Sequence, residues 1–385
     1  MAVFAFMAAN MISNPIVAGY ALSLGAGAGM MSAIASLNAF SALITRPFLG
    51  NIADRVDKYK FTQAGLILMT IGALPQVLAP NALVLGIGRI CLGLGFTLSS
   101  ISLPAWLSSL VPENQIGRAI GIYGTIHAIG MALAPTLGIL LYQSLGYRAA
   151  FVGMLIFAAS AFVLLKCAKR EKTDMKTEEV DADRKVIDGA SKEAAKEKKK
   201  FRLVCAETVP VSCIAMFLCM PYCATQVYIV QYAEMKNIAV MVSLFFPVYA
   251  SFLAVLRTVI SKRVDRIPFR YFFWISMAGM VIFLCGMTVM KSNIVLCIMS
   301  LILAVSYGLI NTICQSKAIL LAGRGNEGIG NSTFYLGLDI GMTAGSMVGG
   351  VLITRLPVNL FYPSMLVLVP VCIIIYMLSI RKQNI

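Results

Sequence analysis

Three side chains that can bind a proton, or tune its binding, lie inside long apolar stretches: Arg89, His127 and Asp339. Ionisable groups inside a bilayer are costly and commonly belong to ion or proton pathways. Asp339 could carry a proton or contact substrate, although an interhelical hydrogen bond would also explain it. Arg89 cannot release its proton, so it would tune a neighbouring carboxyl group or bind an anion. His127 could titrate or be a packed, hydrogen-bonded residue. All three are candidates for proton coupling.

A second set of side chains offers uncharged hydrogen-bonding groups within the apolar stretches. Asn10 and Asn14 are four residues apart and therefore share a helix face, as do Tyr228 and Tyr232. Such faces could line a central cavity, or they could hold helices together. The candidates for a substrate cavity are Asn10, Asn14, Asn38, Gln226, Tyr228, Gln231 and Tyr232.

A third set is the charged segment "GNIADRVDKYK", which separates two apolar stretches. A carboxylate at a helix end can accept hydrogen bonds from the free N–H groups of a neighbouring helix and complement its dipole. Membrane orientation explains Lys58 and Lys60, but acids contribute little to orientation. Asp54 therefore needs another role, and the sequence offers no explanation for Asp57.

The composition indicates which elements hold these groups. Of the 385 residues, 59% are hydrophobic and 13% charged, and the mean hydropathy is +0.84, as expected of a polytopic membrane protein. A membrane-spanning helix needs about 20 mostly apolar residues. Because the alternation of a membrane barrel is missing, the fold class predicted is all-α. Twelve stretches qualify: 1–23, 30–50, 62–80, 82–106, 116–142, 147–167, 203–229, 238–260, 271–290, 293–316, 329–353 and 357–379.

The net charge of +15 could suggest nucleic acid, but the distribution of charges argues against such a partner. Twelve of the 32 basic residues and nine of the 17 acids lie in 168–202, which predicts a flexible linker. Of the other basic residues, 15 fall on one side of the predicted spans and four on the other. The positive-inside rule then places both termini and the linker in the cytoplasm, with the chain in the plasma membrane.

The sequence also repeats itself at a constant offset of 211 residues. Two six-helix halves with the same orientation are therefore expected, with a substrate site between them. The predicted domains are 1–167, a linker at 168–202, and 203–385. By the same offset Met1 corresponds to Ser212, so we expect the first helix to be truncated. The offset pairs Arg46, Asp54, Arg55, Gly130 and Gly138 with Arg257, Asp265, Arg266, Gly341 and Gly349.

These motifs resemble those of the major facilitator superfamily over nearly the whole chain. "GNIADRVDKYK" is similar to the family's loop signature, with Asp57 in place of a glycine and Tyr59 in place of a base. "GRICLGLG" resembles the fourth-helix signature and "GMALAPTLG" the fifth-helix motif of exporters, with Ala134 replacing a glycine. "NSTFYLGLDIG" resembles the eleventh helix of drug and metabolite exporters of the proton-antiporter type.

The resemblance implies two pseudo-symmetric six-helix bundles and roles for several residues. A conformational gate would comprise Gly50, Asp54, Arg55, Lys60, Asp265 and Arg266. Asp54 would meet the turn at 328–330, with Arg55 and Arg118 as ionic partners, and would favour the outward-open state. Arg89 would take part in proton transfer. The helix-packing motif would comprise Gly130, Pro135 and Gly138, and Pro135 could add a kink used in gating.

The function predicted is proton-coupled efflux of a drug-like compound or metabolite by alternating access. Uptake of a small polar metabolite by symport or facilitated diffusion is the alternative, and a non-transporting sensor is a third. One histidine and two intramembrane acids argue against an enzyme. Ten cysteines without a CxxC pair argue against a metal site or a disulfide framework. We expect a monomer that needs a small-molecule substrate, the lipid bilayer and a proton gradient, but no cofactor.

Overall fold

The protein is described by a computed structural model that covers residues 1–53, 56–108, 110–112, 116–176, 204–261, 267–323 and 327–380. Within these ranges the chain is helical and has no strand. Ten helices are long and apolar enough to cross a membrane, and two shorter apolar helices, Ala2–Met11 and Val242–Arg257, bring the number of passes to twelve. The prediction of an all-α, twelve-helix membrane fold is confirmed.

We number the passes α1 to α12 in chain order. The first is interrupted and consists of Ala2–Met11 and Val17–Ser23. The others are α2 Ala28–Ala53, α3 Lys58–Leu78, α4 Ala82–Ser108, α5 Ile116–Leu145, α6 Tyr147–Lys176, α7 Val209–Met235, α8 Phe245–Ser261, α9 Phe269–Thr288, α10 Asn293–Leu321, α11 Glu327–Arg355 and α12 Val358–Leu378.

The helix boundaries repeat with the period predicted from the sequence. Helices α3, α4 and α6 begin at Lys58, Ala82 and Tyr147. Their counterparts α9, α10 and α12 begin at Phe269, Asn293 and Val358, each 211 positions later. Insertions and deletions are therefore absent between these three pairs of helix starts. The molecule consists of two pseudo-symmetric halves, α1–α6 and α7–α12.

One boundary differs from the prediction. The sixth helix continues to Lys176, whereas the charged linker was predicted to begin at residue 168. Alanine, lysine, arginine, glutamate and methionine dominate 168–176, and all favour a helix. Extending an existing helix also avoids the cost of nucleating a new one. Mixed charge in this segment thus ends the membrane span without ending the helix.

The first helix is broken near its middle, at Ile12–Ile16. Pro15 has no N–H to donate, and the residue before a proline disfavours the helical conformation. The turn is closed by the Val17 N–H, which donates to the Ser13 carbonyl at 2.9 Å. Its counterpart α7 is continuous over Val209–Met235. The second half thus lacks this interruption in α7, and its irregular backbone is instead the π-helical segment Ala304–Leu309 within α10.

The two halves meet along two equivalent helix pairs, α2 with α11 and α5 with α8. We call the end of the bundle where α6 stops and α7 starts the linker end, and the opposite end the far end. Within each half, α5 packs on α1 and α11 packs on α7. These contacts place α2, α5, α8 and α11 between the halves, with α1 and α7 packed against α5 and α11.

Candidate functional site

Arg89 lies at the break in α1 and is 1% exposed. Its Nη1 donates to Ser13 Oγ at 3.0 Å and to Asn14 Oδ1 at 3.3 Å. Its Nη2 donates to Asn14 Oδ1 at 3.3 Å and to the Ala35 carbonyl at 3.2 Å. Arg89 therefore fastens the irregular part of α1 to α2 from its position on α4.

The charge of Arg89 is not neutralised by these contacts. Its hydrogen-bond partners among the described residues are a hydroxyl, an amide and a backbone carbonyl. Its Nε is buried and has no hydrogen-bond partner within the same part of the chain. Because a buried charge is costly unless it is paired, this guanidinium creates a strong preference for negative charge nearby.

The predicted cavity residues on α1, α2 and α7 come together beside this arginine. Asn38 donates to Asn10 Oδ1 at 2.9 Å. Asn14 and Gln226, from opposite halves, both approach the Met11 sulfur at 3.5 Å. All four amide side chains are buried. A patch of amide groups thus joins the two halves near the middle of the bundle.

The remaining predicted cavity residues lie nearer the far end. Gln231 approaches the sulfur of Met31 on α2 at 3.7 Å. Tyr228 donates to the Ser346 carbonyl on α11 at 2.8 Å. Tyr232 donates to the Met287 carbonyl on α9 at 2.9 Å, so its hydroxyl contacts a neighbouring helix of its own half. Of the predicted pair of tyrosines, Tyr228 contacts α11 and Tyr232 contacts α9.

An ion pair joins the halves on the linker-end side of this patch. Arg46 Nε lies 2.5 Å from Asp339 Oδ2, and Nη2 lies 3.3 Å from Oδ1. Asp339 is 1% exposed at its side chain and Arg46 21%. The guanidinium also lies 5.8 Å from the centre of the Tyr335 ring. A bidentate arginine–carboxylate pair is among the strongest side-chain contacts, and this one ties α2 to α11.

The far end is closed by hydrogen bonds in both helix pairs. Ser32 Oγ on α2 donates to the Met347 carbonyl on α11 at 3.0 Å. Thr136 Oγ1 on α5 donates to the Ser243 carbonyl, just before α8, at 2.9 Å. Ser32 and Ser243 are 211 positions apart, and so are Thr136 and Met347. The same pair of positions therefore meets in both interfaces.

A further far-end contact joins α5 to α7. Tyr142 donates to Glu234 Oε1 at 3.1 Å. Gln231 and Glu234 also line a cleft of about 490 Å³ with Leu22 and Met31, at the rim where the halves meet. Among the described residues, polar contacts between the halves thus occur at the far end, at the central amide patch and at the Arg46–Asp339 pair.

The fifth-helix motif packs against the broken first helix. A Cβ at Gly130 would lie 2.7 Å from the Met7 Cβ, and one at Gly138 would overlap the Ile12 carbonyl. In the second half a Cβ at Gly341 would crowd the Met216 carbonyl on α7. Pro135 lies inside α5. The glycines allow close approach of neighbouring helices, as small residues do in membrane proteins.

His127 lies on the linker-end side of α5 and is partly buried. Its ring centre is 5.7 Å from that of Tyr123, one turn away on the same helix. His127 therefore packs against an aromatic ring of its own helix.

Four of the predicted gate residues, Asp54, Arg55, Asp265 and Arg266, lie outside the described residues. Gly50 belongs to α2 and Lys60 to the exposed first turn of α3. Asp57, which the sequence left unexplained, caps α3: its Oδ1 accepts the Lys60 N–H at 3.0 Å. An N-cap carboxylate satisfies a free N–H at the helix start, which gives this aspartate a structural role.

The sequence did not single out Arg46. By sequence it is one of the basic residues that orient the chain and the repeat partner of Arg257. A usable signal was present, because Arg46 is basic and lies seven residues before the end of α2, inside a predicted span. An intramembrane base requires a partner, and Asp339 is the acid deepest in the opposite half.

Comparison with curated proteins finds relatives of limited extent. The chain is 30% identical over 124 residues to the multi-drug resistance efflux pump PmrA homolog of Lactococcus lactis, covering 32% of this chain and 31% of that protein. It is 33% identical over 131 residues to the multidrug resistance protein Stp of Mycobacterium tuberculosis, covering 34% and 24%. The matched segments thus span about a third or less of these relatives.

Solved structures show the same fold over the whole length. A bacterial homolog of the human lysosomal transporter Spinster, in an inward-facing and occupied conformation, matches with a TM-score of 0.73 at 13% identity, covering 100% of this chain and 96% of that one. A peptide transporter in complex with alafosfalin matches with a TM-score of 0.72 at 13% identity, covering 100% and 93%. The family model of the Major Facilitator Superfamily matches residues 1–346, and the chain belongs to that superfamily.

Proposed function

We propose that the protein is a proton-coupled exporter that moves a small molecule across the plasma membrane by alternating access. The Arg46–Asp339 ion pair carries this proposal, because it joins the halves through a group that can take up a proton. The names of the matched relatives, a multi-drug efflux pump and a multidrug resistance protein, favour export. The positive-inside rule favours cytoplasmic termini, so the linker end would face the cytoplasm.

In this proposal the proton and Arg46 compete for one carboxylate. The ionised Asp339 holds Arg46 and keeps α2 and α11 together on the linker-end side. Protonation removes the negative charge and one acceptor site, so the bidentate contact is lost. Loss of one partner of a buried pair costs about 3 to 5 kcal/mol. That is enough to shift a two-state equilibrium whose states differ by a few kcal/mol.

Substrate would bind in the central patch, where amide groups from both halves meet. Asn10, Asn38 and Gln226 are buried and lie next to the break in α1. Broken helices near the bilayer midplane are typical of substrate sites in transporters. Opening either end of the bundle would separate Gln226 from Met11, so the patch is sensitive to the conformational state. Asp54 and the other predicted gate residues would add a second contact at the linker end.

The test is transport by purified protein in vesicles with an imposed pH gradient and a panel of drug-like compounds. We compare the wild type with Asp339→Asn, which keeps shape but cannot ionise. Glu234→Gln, at the far-end rim, is the matched control. We expect gradient-driven transport to be lost only in Asp339→Asn, while exchange of labelled for unlabelled compound without a gradient persists.

Other outcomes would contradict parts of the proposal. Unchanged gradient-driven transport in Asp339→Asn would remove this residue from coupling. Transport by the wild type that ignores the pH gradient would favour a facilitator. Absence of transport for every compound of the panel, together with correct folding, would favour the sensor alternative.

A further inference from the structure

Arg46 has a second partner besides Asp339, the ring of Tyr335 on α11. The guanidinium carbon lies 5.8 Å from the ring centre, within the range of a cation–π contact. Tyr335 precedes Asp339 by four residues, so it lies on the same face of α11 and one turn nearer the linker end. The guanidinium of α2 is therefore held in two ways, by a carboxylate and by an aromatic ring.

The hydroxyl group of Tyr335 is fixed by a side chain of its own half. The Gln315 amide on α10 donates to it at 3.2 Å and to Asn331 Oδ1 at 3.0 Å. Asn331 lies four residues before Tyr335, so one amide group connects α10 with two successive turns of α11. Because both bonds lie within the second half, the position of the ring does not depend on that of α2.

The repeat indicates that the ring and the amide belong with the acid. The positions 211 residues before Asp339, Tyr335 and Gln315 hold an alanine, a glycine and a proline. By contrast, the position equivalent to Arg46 holds an arginine. A glycine has no ring, and a proline has no side-chain amide. The ring and the amide therefore accompany the ion pair and are not part of the packing pattern that both halves share.

Few ionisable groups compete for this contact in the part of the chain that the structure describes. There Arg46 contacts Asp339 and the Tyr335 ring. The elements packed against α11 also carry Cys219 on α7, beside the turn that contains Asp339, and Glu207 just before α7. A protonated Asp339 has no charge, whereas the attraction of a cation to a ring face does not depend on that proton. The Tyr335 ring is then the attractive partner left to Arg46 by the described residues.

We propose that Tyr335 retains Arg46 after Asp339 has taken up a proton, so that protonation weakens the linker-end contact without fully opening it. This inference rests on the proposed proton-coupled transport and concerns its regulation. The carboxyl group releases the guanidinium first and the ring releases it second. Complete separation of α2 from α11 then requires the free energy of cargo binding as well. Tyr335 is thus a positioning residue that limits proton flow in the absence of cargo.

The first experiment measures opening of the linker end without any proton gradient. Amide hydrogen exchange in α2 and α11 is followed by mass spectrometry in Asp339→Asn, which stands for the protonated carboxyl group. Adding Tyr335→Leu should speed exchange at the linker ends of both helices by a further factor of roughly three to ten, the range expected of one cation–π contact. Adding Tyr335→Phe, which keeps the ring, should change exchange by less than about twofold. In Arg46→Gln, Tyr335→Leu should have no further effect, because the guanidinium is absent.

Tyr271→Leu is the matched control for these variants. Arg270 lies 4.9 Å from the Tyr271 ring, but both residues belong to the start of α9, so this pair does not join the halves. Its loss should leave exchange in α2 and α11 unchanged. Gln315→Leu releases the Tyr335 hydroxyl and should give part of the effect of Tyr335→Leu. Tyr335 is 37% exposed, so the leucine leaves no buried cavity, and Tyr335→Met takes its place if that variant does not fold.

The second experiment measures proton leak in the absence of cargo. The protein is reconstituted into vesicles that contain a pH-sensitive dye, and a pH gradient is imposed with no compound present. Tyr335→Leu should acidify the vesicles roughly three to ten times faster than the wild type, in proportion to its effect on opening. Tyr335→Phe and Tyr271→Leu should match the wild type.

The outcomes separate this inference from the transport proposal. Equal exchange in Asp339→Asn with and without Tyr335→Leu would overturn the inference. An equally large effect of Tyr335→Leu in Arg46→Gln would also overturn it, because the ring would then act without the guanidinium. Faster exchange without faster leak would reject the role in coupling. Failure of the transport proposal looks different: wild-type transport that ignores the pH gradient would remove proton coupling and leave the exchange results as they are.

Discussion

The two interfaces between the halves start from one duplicated pattern and end with different chemistry. At the far end, α2–α11 and α5–α8 use equivalent positions for a hydrogen bond of nearly equal length. On the linker-end side, α2–α11 has an ion pair. The repeat partners of Arg46 and Asp339 are Arg257 on α8 and Ala128 on α5, so the second interface has no acid at the equivalent sequence position. The packing register has therefore been kept in both copies, while the acid of the ion pair occurs at this sequence position in only one. An interface closed by its own residues suits a proton switch.

The same divergence occurs at the centre of the bundle. Arg89 on α4 holds the break of α1, and its repeat partner on α10 is Ser300, 211 positions later. Ser300 donates to the Phe245 carbonyl at 2.6 Å and so fixes α8 instead. The second half thus uses a neutral contact where the first buries a charge. The irregular backbone also differs between the halves, since it lies in α1 in the first half and in the π-helical segment Ala304–Leu309 of α10 in the second.

The largest expected effect comes from neutralising Arg46 in the α2–α11 interface. The result is compared with neutralisation of its repeat partner Arg257 in the α5–α8 interface. Arg46→Gln leaves the Asp339 carboxylate buried without its ionic partner. The cost of breaking a buried pair, about 3 kcal/mol at the low end, corresponds to roughly a hundredfold change in the closed state. We expect faster amide hydrogen exchange at the linker ends of α2 and α11, measured by mass spectrometry.

Arg257→Gln is the control for this experiment. The position on α5 that is equivalent to Asp339 is an alanine, so exchange in α5 and α8 should change by less than about twofold. Equal acceleration in both variants would mean that the arginines act only through membrane orientation. It would also remove the distinction between the two interfaces.

The sequence predicted the fold well because hydropathy and the repeat depend on the position of residues within single helices and not on how the helices pack together. The twelve spans and the offset of 211 residues require only the position of each residue along its own helix. The ion pair could not be predicted in this way, since the partner of Arg46 depends on how α2 packs against α11. Their depth in the membrane made Asp339 and Arg89 candidate functional residues, but it did not predict which residues they contact.

Two further features follow from local sequence alone. Asp57 precedes the first turn of α3, where an aspartate is a favourable N-cap. Asn14–Pro15 indicates a helix interruption within the first apolar stretch. The predicted contact of Asp54 lies outside the described residues and remains a prediction.

The second prediction compares the close helix contacts of the two halves. A Cβ at Gly138 would overlap a backbone carbonyl of α1, which cannot move aside easily. A Cβ at Gly349 would instead meet the Ala224 Cβ at 2.9 Å and the Tyr228 ring at 3.1 Å, which are side chains. Overpacking costs about 1 to 3 kcal/mol, so Gly138→Ala should be at the upper end and Gly349→Ala lower.

Unfolding temperature and the yield of monodisperse protein measure both effects. Gly124→Ala is the control on the same helix as Gly138, because a Cβ there would meet no atom within 4 Å. It should leave the unfolding temperature unchanged or raise it slightly. Greater loss in Gly349→Ala than in Gly138→Ala would show that the break in α1 absorbs the added methyl group.

The third prediction concerns the starts of α3 and α9, whose N-caps Asp57 and Pro268 are also 211 positions apart. The Asp57 carboxylate accepts a hydrogen bond from the Lys60 N–H at the start of α3, whereas no side chain caps the start of α9. Asp57→Ala should cost about 1 kcal/mol and Asp57→Gly a few tenths. Amide exchange in the first turn of α3 should rise about fivefold in the alanine variant, while Lys58→Gln leaves it unchanged. An effect of Lys58→Gln as large as that of Asp57→Ala would assign the stability of this turn to charge and not to capping.

The smallest expected effect tests what the two interfaces share. Ser32→Ala and Thr136→Val each remove one hydrogen bond between the halves at the far end. Such bonds contribute about 0.6 kcal/mol in membrane proteins, so each variant should speed amide exchange at its own far-end contact roughly threefold. The increase in amide exchange in the double variant should equal the product of the increases in the two single variants, because the contacts lie in different helix pairs. A large effect in one interface and none in the other would show that the far-end contacts have diverged as the charges have. Equal effects would restrict the divergence to the linker-end side, where the proton is proposed to act.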